Sequence, residues 1–248
     1  MIDYIHMKNE GKQKILFMHG LGGNVDQWHE QLRHFSVNYE VLAISLSGHG
    51  KSDPGVYDIK SFIQDIKQVI NKLKYDNFIW VGNSMGGVLA FESLNEFNIK
   101  SIITNGTTPK LRYGKFTLKL IEMVDRFLIK KGYSKYIKFA ANNSTKKKSI
   151  KDNLYKMMIQ TDPEAVVKMH QLLGDYDYLE SLNNSKIKIY IIKTPGDSAI
   201  NKELKKYLSS ITNDNVYVMK SEVGGHIFNM EYPKLYNEII EKILKDDI

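Results

Sequence analysis

The chain has 248 residues, of which 42% are hydrophobic, 25% charged and 11% aromatic, a composition typical of globular domains and unlike that of disordered or collagen-like chains. Its 35 basic and 28 acidic residues give a net charge of +7, and the absence of cysteine excludes disulfides, thiolate nucleophiles and cysteine-ligated metals. No apolar run is long enough for a membrane span and the N-terminus does not resemble a secretory signal, so we expect a cytoplasmic protein.

Short apolar runs alternate with helical patterns in the first hundred residues. Four such runs predict strands at residues 15–18, 39–44, 78–81 and 99–104. Between them, apolar residues recur at helical spacing over 59–73, where Asp58 is a suitable N-cap, and over 88–94. This alternation predicts a mostly parallel sheet with helices on both faces.

The pattern changes after residue 104. Residues 109–185 contain no clear buried strand, and helical spacing recurs through them, including a start at Asp162 and Pro163. Strand patterns return at 187–192 and 216–219, and a helical pattern over 236–244 follows. We therefore expect an α/β core made of residues 1–108 and 186–248, with residues 109–185 forming a helical insertion.

The positive charge is concentrated in the first half of this insertion. Residues 109–150 hold 12 basic and 2 acidic side chains. This segment is either a solvated lysine-rich face or a docking surface for an anionic partner, such as a lipid headgroup, an acidic carrier protein or an anionic substrate with a carboxylate group. We do not expect nucleic acid as a partner, because no recognisable binding motif accompanies the charge.

A G-x-S-x-G motif occupies residues 82–86 and centres on Ser84. The predicted strand at 78–81 runs directly into the motif, and a helical pattern follows it. This strand–turn–helix setting is the one that a nucleophile elbow requires, with the serine exposed at the carboxyl edge of the sheet. Ser84 is therefore the candidate nucleophile.

A serine hydroxyl needs a base, and the base needs a group that fixes its tautomer. His226 follows Gly224 and Gly225 in the loop after the strand at 216–219, and Asp197 follows the strand at 187–192. Both loops leave the sheet at the edge where Ser84 lies. Other acidic positions are a surface turn at Asp214, and Asp175 and Asp177 in the insertion; we choose Asp197 as the carboxylate and His226 as the base.

A tetrahedral intermediate also needs two preorganised N–H donors. Met85, which follows the nucleophile, is expected to supply one. The glycine-rich loop after the strand at 15–18 is expected to supply the other, and we choose the backbone N–H of Leu21.

The order Ser84, Asp197 and His226, together with glycine-rich segments at 19–23 and 48–52, resembles α/β-hydrolase-fold serine hydrolases of the capped carboxylesterase and monoacylglycerol lipase type. The resemblance implies a mostly parallel eight-stranded sheet flanked by helices, with a helical cap inserted after the sixth strand. Relatives often have His where this chain has Asn83, and Asp where it has Ser45. Neither position belongs to the triad, so these differences bear on which subfamily the chain resembles and not on the proposed chemistry.

The resulting hypothesis is cleavage of a small-molecule carboxylic ester through an acyl-enzyme on Ser84, without a metal or cofactor. Carbon–carbon bond hydrolases and lyases use the same triad, and a non-catalytic ligand-binding role is a further alternative. A dehalogenase would need Asp at the elbow. Residues 45–52 partly match a phosphate-binding loop, but Ser45 replaces its first glycine and Pro54 prevents the required helix.

Overall fold

The computed structural model describes residues 1–246 of the chain. The strands within this range are β1 (Tyr4–Met7), β2 (Lys14–Met18), β3 (Glu40–Ile44), β4 (Phe78–Asn83), β5 (Ile99–Asn105), β6 (Lys110–Arg112), β7 (Asp175–Asp177), β8 (Lys188–Lys193) and β9 (Val216–Lys220). Seven of these described strands form one large sheet in the order β1-β3-β2-β4-β5-β8-β9, and the two short strands β6 and β7 pair with each other. In the large sheet β1 runs antiparallel to β3, and the other strand pairs given by residues 1–246 are parallel.

The helices lie mostly between consecutive strands. They are α1 (His29–Phe35), α2 (Ile59–Leu73), α3 (Met85–Glu92), α4 (Lys115–Ser144), α5 (Lys148–Met158), α6 (Pro163–Leu172), α7 (Leu179–Asn183), α8 (Ser198–Tyr207), α9 (Phe228–Glu231) and α10 (Pro233–Asp246). Within residues 1–246, no helix combines the length and the apolar composition needed to cross a bilayer.

The alternation of side chains along the strands produces two apolar layers, one on each face of the sheet. Leu16 and Trp80 point into a core that contains apolar residues of α2 and α3. Phe17 and Val81 point into the opposite core, with apolar residues of α1 and α10. Every residue of β3 and β4 is buried, as expected for central strands that are covered on both faces.

The number of strands differs from the expectation. The large sheet has seven strands in the described chain, so the predicted eight-stranded sheet is wrong. The reason is that residues 1–13 supply a single strand, β1, before β2. The insertion consequently follows the fifth strand of the sheet, β5, rather than the sixth.

The segment at 109–185 leaves the sheet after β5 and returns to it at β8, and these two strands are direct neighbours. Its two ends are joined by the antiparallel β6–β7 ladder, and its remaining elements are α4 to α7. The helix α4 is kinked at Gly132, whose φ of 152° lies outside the helical region. Of the predicted core segment 186–248, residues 247 and 248 lie outside the described residues.

Candidate active site

Ser84 lies on a sharp turn between β4 and α3. Its φ of 52° is a strained value for a residue with a side chain. The turn is held by hydrogen bonds from the Ser84 N–H to the Asn105 carbonyl (2.9 Å) and from Thr107 Oγ1 to the Ser84 carbonyl (2.9 Å). These contacts keep the serine at the carboxyl end of the sheet, as an elbow requires.

Close backbone packing requires glycine on either side of the serine. A Cβ on Gly82 would lie 2.5 Å from the Gly86 carbonyl oxygen, and a Cβ on Gly86 would lie 2.1 Å from the Met18 carbonyl oxygen. Both obstacles are backbone atoms, which cannot rotate away. The glycines therefore allow β2, β4 and α3 to meet beneath the nucleophile.

We expect Gly86→Ala to destabilise the protein by about 3 kcal/mol, because the added methyl group must displace the β2 backbone. Gly114→Ala is the matched control. Gly114 has no atom within 4 Å of its added Cβ and a φ of −65°, which alanine adopts readily. Its free energy of unfolding should change by less than about 1 kcal/mol. Urea unfolding curves measure both, and equal midpoints for the two variants would contradict the close-packing argument.

The structure joins two of the predicted triad residues. His226 Nδ1 lies 2.8 Å from Asp197 Oδ2, and Asp197 is only 8% exposed. A buried carboxylate acceptor at this distance fixes the proton on Nδ1 and leaves Nε2 as the basic nitrogen. The arrangement is therefore suited to general-base chemistry at His226.

The loops that hold these two residues are also bonded to each other. The Gly196 N–H donates to the Gly224 carbonyl (2.8 Å), and Thr194 Oγ1 donates to the Gly225 carbonyl (3.0 Å). The Gly225 N–H donates to the buried carboxylate of Glu231. The position of His226 is thus determined by contacts on both sides of the histidine.

The alternative acids lie elsewhere. Asp175 and Asp177 pair with basic residues of β6, and Asp214 is exposed in the loop that precedes β9, at the opposite edge of the sheet from Ser84. Asn105, the neutral side chain at the end of β5, donates to the His226 carbonyl (3.2 Å). None of these residues competes with Asp197 for the imidazole.

The predicted oxyanion donors belong to two separate segments, the start of α3 and the loop after β2. Met85 begins α3, where the first N–H groups have no partner within the helix. Leu21 lies in the loop after β2 and lines the same cavity as Ser84. Its N–H makes no hydrogen bond within residues 1–246. Both N–H groups are therefore available to a ligand oxygen.

His19 supports the Leu21 loop, a role that the sequence did not reveal. The Leu46 N–H donates to His19 Nε2 (3.1 Å), so the other ring nitrogen carries the proton and donates to the Gly20 carbonyl (2.8 Å). Complete burial lowers the pKa of His19 to about 3. A neutral imidazole therefore fixes this loop at neutral pH.

A network of side-chain amides links the same loop to His226. Gln27 accepts a hydrogen bond from the Gly20 N–H (3.3 Å) and donates to Asn83 Oδ1 (2.7 Å). Asn83 Nδ2 in turn donates to the His226 carbonyl (2.8 Å). Asn83, noted above as a departure from its relatives, therefore connects the loop after β2 to the loop that carries His226. Because Gln27 and Asn83 are 56 residues apart in the sequence, no local sequence pattern predicts this contact.

One cavity of about 260 Å³ brings the site together with the 109–185 segment. Ser84 and His226 line it from the sheet edge. The insertion contributes mainly apolar side chains, among them Ile137, Leu154, Met157, Met158 and Val166. No hydrogen bond joins Ser84 Oγ to His226 within the described chain, so the transfer of a proton between them stays a prediction; such contacts often shorten only when substrate binds.

A family model described as alpha/beta hydrolase fold matches residues 14–232. The chain belongs to the alpha/beta-hydrolase family. That assignment agrees with the parallel sheet, the serine on its sharp turn and the histidine–aspartate pair. This hydrolase therefore has the predicted fold class, with the corrected strand count.

Among curated relatives, mouse epoxide hydrolase 4 is 33% identical over 115 residues, which cover 44% of this hydrolase and 32% of the relative. The chain thus matches about a third of that protein. The 3-oxoadipate enol-lactonase 2 of Acinetobacter baylyi is 22% identical over 98% of this chain and 93% of its own. A carboxylesterase structure from the thaumarchaeon Nitrososphaera gargenis superposes with a TM-score of 0.84 at 18% identity, covering 99% and 94% of the two chains.

Proposed function

We propose that this hydrolase cleaves small carboxylic esters through an acyl-enzyme on Ser84. The observation that carries the proposal is the 2.8 Å contact between His226 and Asp197 at the cavity that Ser84 also lines. A base fixed in this tautomer is suited to deprotonating a neighbouring hydroxyl. Ser84 is the hydroxyl that the elbow holds at that edge.

The proposed reaction has two stages. His226 Nε2 takes the Ser84 proton while Oγ attacks the ester carbonyl, and the Leu21 and Met85 N–H groups stabilise the oxyanion. The tetrahedral intermediate collapses, and His226 passes its proton to the leaving alcohol. Water, deprotonated by His226, then attacks the carbonyl of the acyl-enzyme. His226 returns that proton to Ser84 Oγ as the intermediate collapses, and the carboxylic acid leaves. Asp197 stabilises the imidazolium in both stages.

The identity of the nucleophile favours esters over epoxides. Attack of a serine hydroxyl on an epoxide carbon would give an ether, which has no carbonyl for water to attack and would leave the enzyme alkylated. Attack on an ester or lactone gives an acyl group that water removes. The name of the enol-lactonase relative, which covers nearly the whole chain, fits the second chemistry.

Two alternative functions and two further proposals accompany this one. A carbon–carbon bond hydrolase or lyase would use the same residues, and a ligand-binding protein would use the cavity without turnover. The segment at 109–185 is proposed to act as the cap that selects the substrate, since its apolar side chains line the same cavity as Ser84. A cytoplasmic location is likewise a proposal.

The size of the cavity predicts short substrates. Because about 260 Å³ lies below the usual range for sites that take drug-sized ligands, we expect kcat/KM to be highest for p-nitrophenyl acetate to hexanoate and to fall about tenfold or more by dodecanoate. Steady-state kinetics across the acyl series tests this. Folded protein that turns over none of these esters would refute the ester-hydrolase proposal and favour the lyase or ligand-binding alternatives.

Met158 offers a variant that changes the cavity itself. Its side chain lines the cavity and packs 3.2 Å from the position of a Cβ on Gly22, beside the proposed oxyanion loop. Met158→Ala should move the preferred acyl chain to a longer length. Met7→Ala, at an exposed position on β1, should leave the preference unchanged.

A further inference from the structure

The first half of α4 carries an apolar stripe that faces solvent. Among the described residues, thirteen large apolar side chains are exposed, and seven of these belong to α4. Six precede the kink at Gly132, at spacings of three and four residues that place them along one side of the helix. The members of this apolar stripe are Phe116, Leu120, Met123, Val124, Phe127 and Leu128.

The stripe is a second apolar face, additional to the one that packs against the protein. Leu118, Ile121 and Ile129 lie on the other side of the same helix and are half-buried, and Asp125 between them is only 6% exposed. Phe116, by contrast, is 83% exposed and Met123 is 62% exposed. Packing within the chain therefore explains the inner face and leaves the stripe without a partner.

Lysines surround the stripe. Lys119 lies three residues after Phe116, and Lys130 and Lys131 lie three and four residues after Phe127. These three lysines are therefore next to the apolar stripe on the helix surface, and Lys115 is the first residue of the helix. None of these four lysines forms an ion pair within residues 1–246, whereas Lys67, Lys110 and Lys206 elsewhere do. The Lys131 ammonium instead lies 4.6 Å from the centre of the Phe127 ring. The stripe is thus bordered by cations that the protein itself does not neutralise.

We propose that this face of α4 docks onto an anionic lipid surface, with the apolar stripe inserted at the headgroup boundary and the lysines among the phosphates. A helix with Phe and Leu on one side and lysines beside them has the composition of helices that lie in the plane of a membrane interface. The stripe extends over about 18 Å of helix. Long lysine stems reach headgroups while apolar neighbours insert deeper.

Other occupants fit the same surface less well. A second copy of the chain would bring two unneutralised lysine-rich faces together, which costs energy by like-charge repulsion. Protein interfaces are depleted in lysine and use arginine for cationic contacts, yet all four of these cations are lysines. A fluid layer of anionic headgroups neutralises each lysine wherever it stands. The proposal concerns the docking surface alone and does not depend on the ester-hydrolase proposal.

Vesicle co-sedimentation tests the docking. At about 0.1 M salt, the full chain should bind phosphatidylcholine vesicles that contain phosphatidylglycerol about tenfold or more tightly than pure phosphatidylcholine vesicles. Raising the salt to about 0.5 M should remove most of that preference. Phe116→Ser combined with Phe127→Ser should weaken binding about tenfold or more, since the variant has no aromatic ring at these two positions to bury among the lipids. Lys119→Gln, Lys130→Gln and Lys131→Gln together should abolish the preference for anionic vesicles.

The matched control is Val37→Ser combined with Val56→Ser, which removes two exposed apolar side chains outside the 109–185 segment. This control should bind as the parent does, and circular dichroism should show all variants folded. Equal binding to neutral vesicles, no binding, or unchanged binding of the phenylalanine variant would overturn the proposal. The proposal would also be overturned if the parent protein were a dimer and the phenylalanine variant a monomer. Binding to immobilised polyglutamate by a protein that does not bind vesicles would overturn it too.

Discussion

Ser84→Ala should lower kcat/KM for p-nitrophenyl butyrate by at least about 10⁴-fold while leaving the fold intact. The hydroxyl is the atom that forms the acyl bond in the proposed mechanism, and the remaining N–H donors cannot replace it. The fold should be retained because a φ of 52° at this turn is about equally unfavourable in conformational energy for alanine and for serine. The melting temperature and steady-state kinetics measure the two effects separately.

Covalent labelling gives an independent readout of the same residue. Mass spectrometry should show that a fluorophosphonate attaches one phosphonyl group to each molecule of the parent protein and none to Ser84→Ala. Ser209→Ala, which alters an exposed serine, is the control and should label and react as the parent does. Retained turnover in Ser84→Ala would show that another group is the nucleophile.

The large elements could be predicted because their sequence patterns are local. The strands β2 and β4 are mainly apolar runs, as strands buried on both faces must be, and α2 shows its buried stripe and its N-cap at Asp58. The first strand, β1, has no such pattern. It is a four-residue edge strand without a fully buried residue, and it is defined by its pairing with β3, which no local signal reveals.

The candidate site was predictable to the extent that topology decides it. Loops that follow parallel strands leave the sheet at one edge, so the positions of Ser84, Asp197 and His226 could be expected to converge. The supporting contacts depend instead on side-chain geometry across long separations. Gln27 meets Asn83, and His19 receives the Leu46 N–H, only because the folded sheet brings these segments together. The exposure of Phe116 could not be predicted either, because apolar residues at helical spacing do not indicate whether another part of the protein packs against them.

The second large effect is expected from Asp197→Asn. In the proposed mechanism Asp197 never bonds to substrate; it accepts the Nδ1 proton of His226 at 2.8 Å and stabilises the imidazolium that forms when Ser84 is deprotonated. Asparagine removes the negative charge and can present an amide N–H to Nδ1, which favours the wrong tautomer. We expect kcat to fall by about 10³- to 10⁴-fold, with KM changed by less than about threefold, because ground-state binding does not use this group.

Asp175→Asn provides the matched control, because Asp175 is a carboxylate that pairs with Arg112 on β6 and lies outside the cavity. Steady-state kinetics should show it within about twofold of the parent. The split between kcat and KM distinguishes an orienting carboxylate from one that only stabilises the loop, since a loosened loop would raise KM and lower the melting temperature together. If Asp197→Asn kept kcat within about tenfold of the parent, the His226–Asp197 pair would be a structural contact, and the base would have to be sought elsewhere around the cavity.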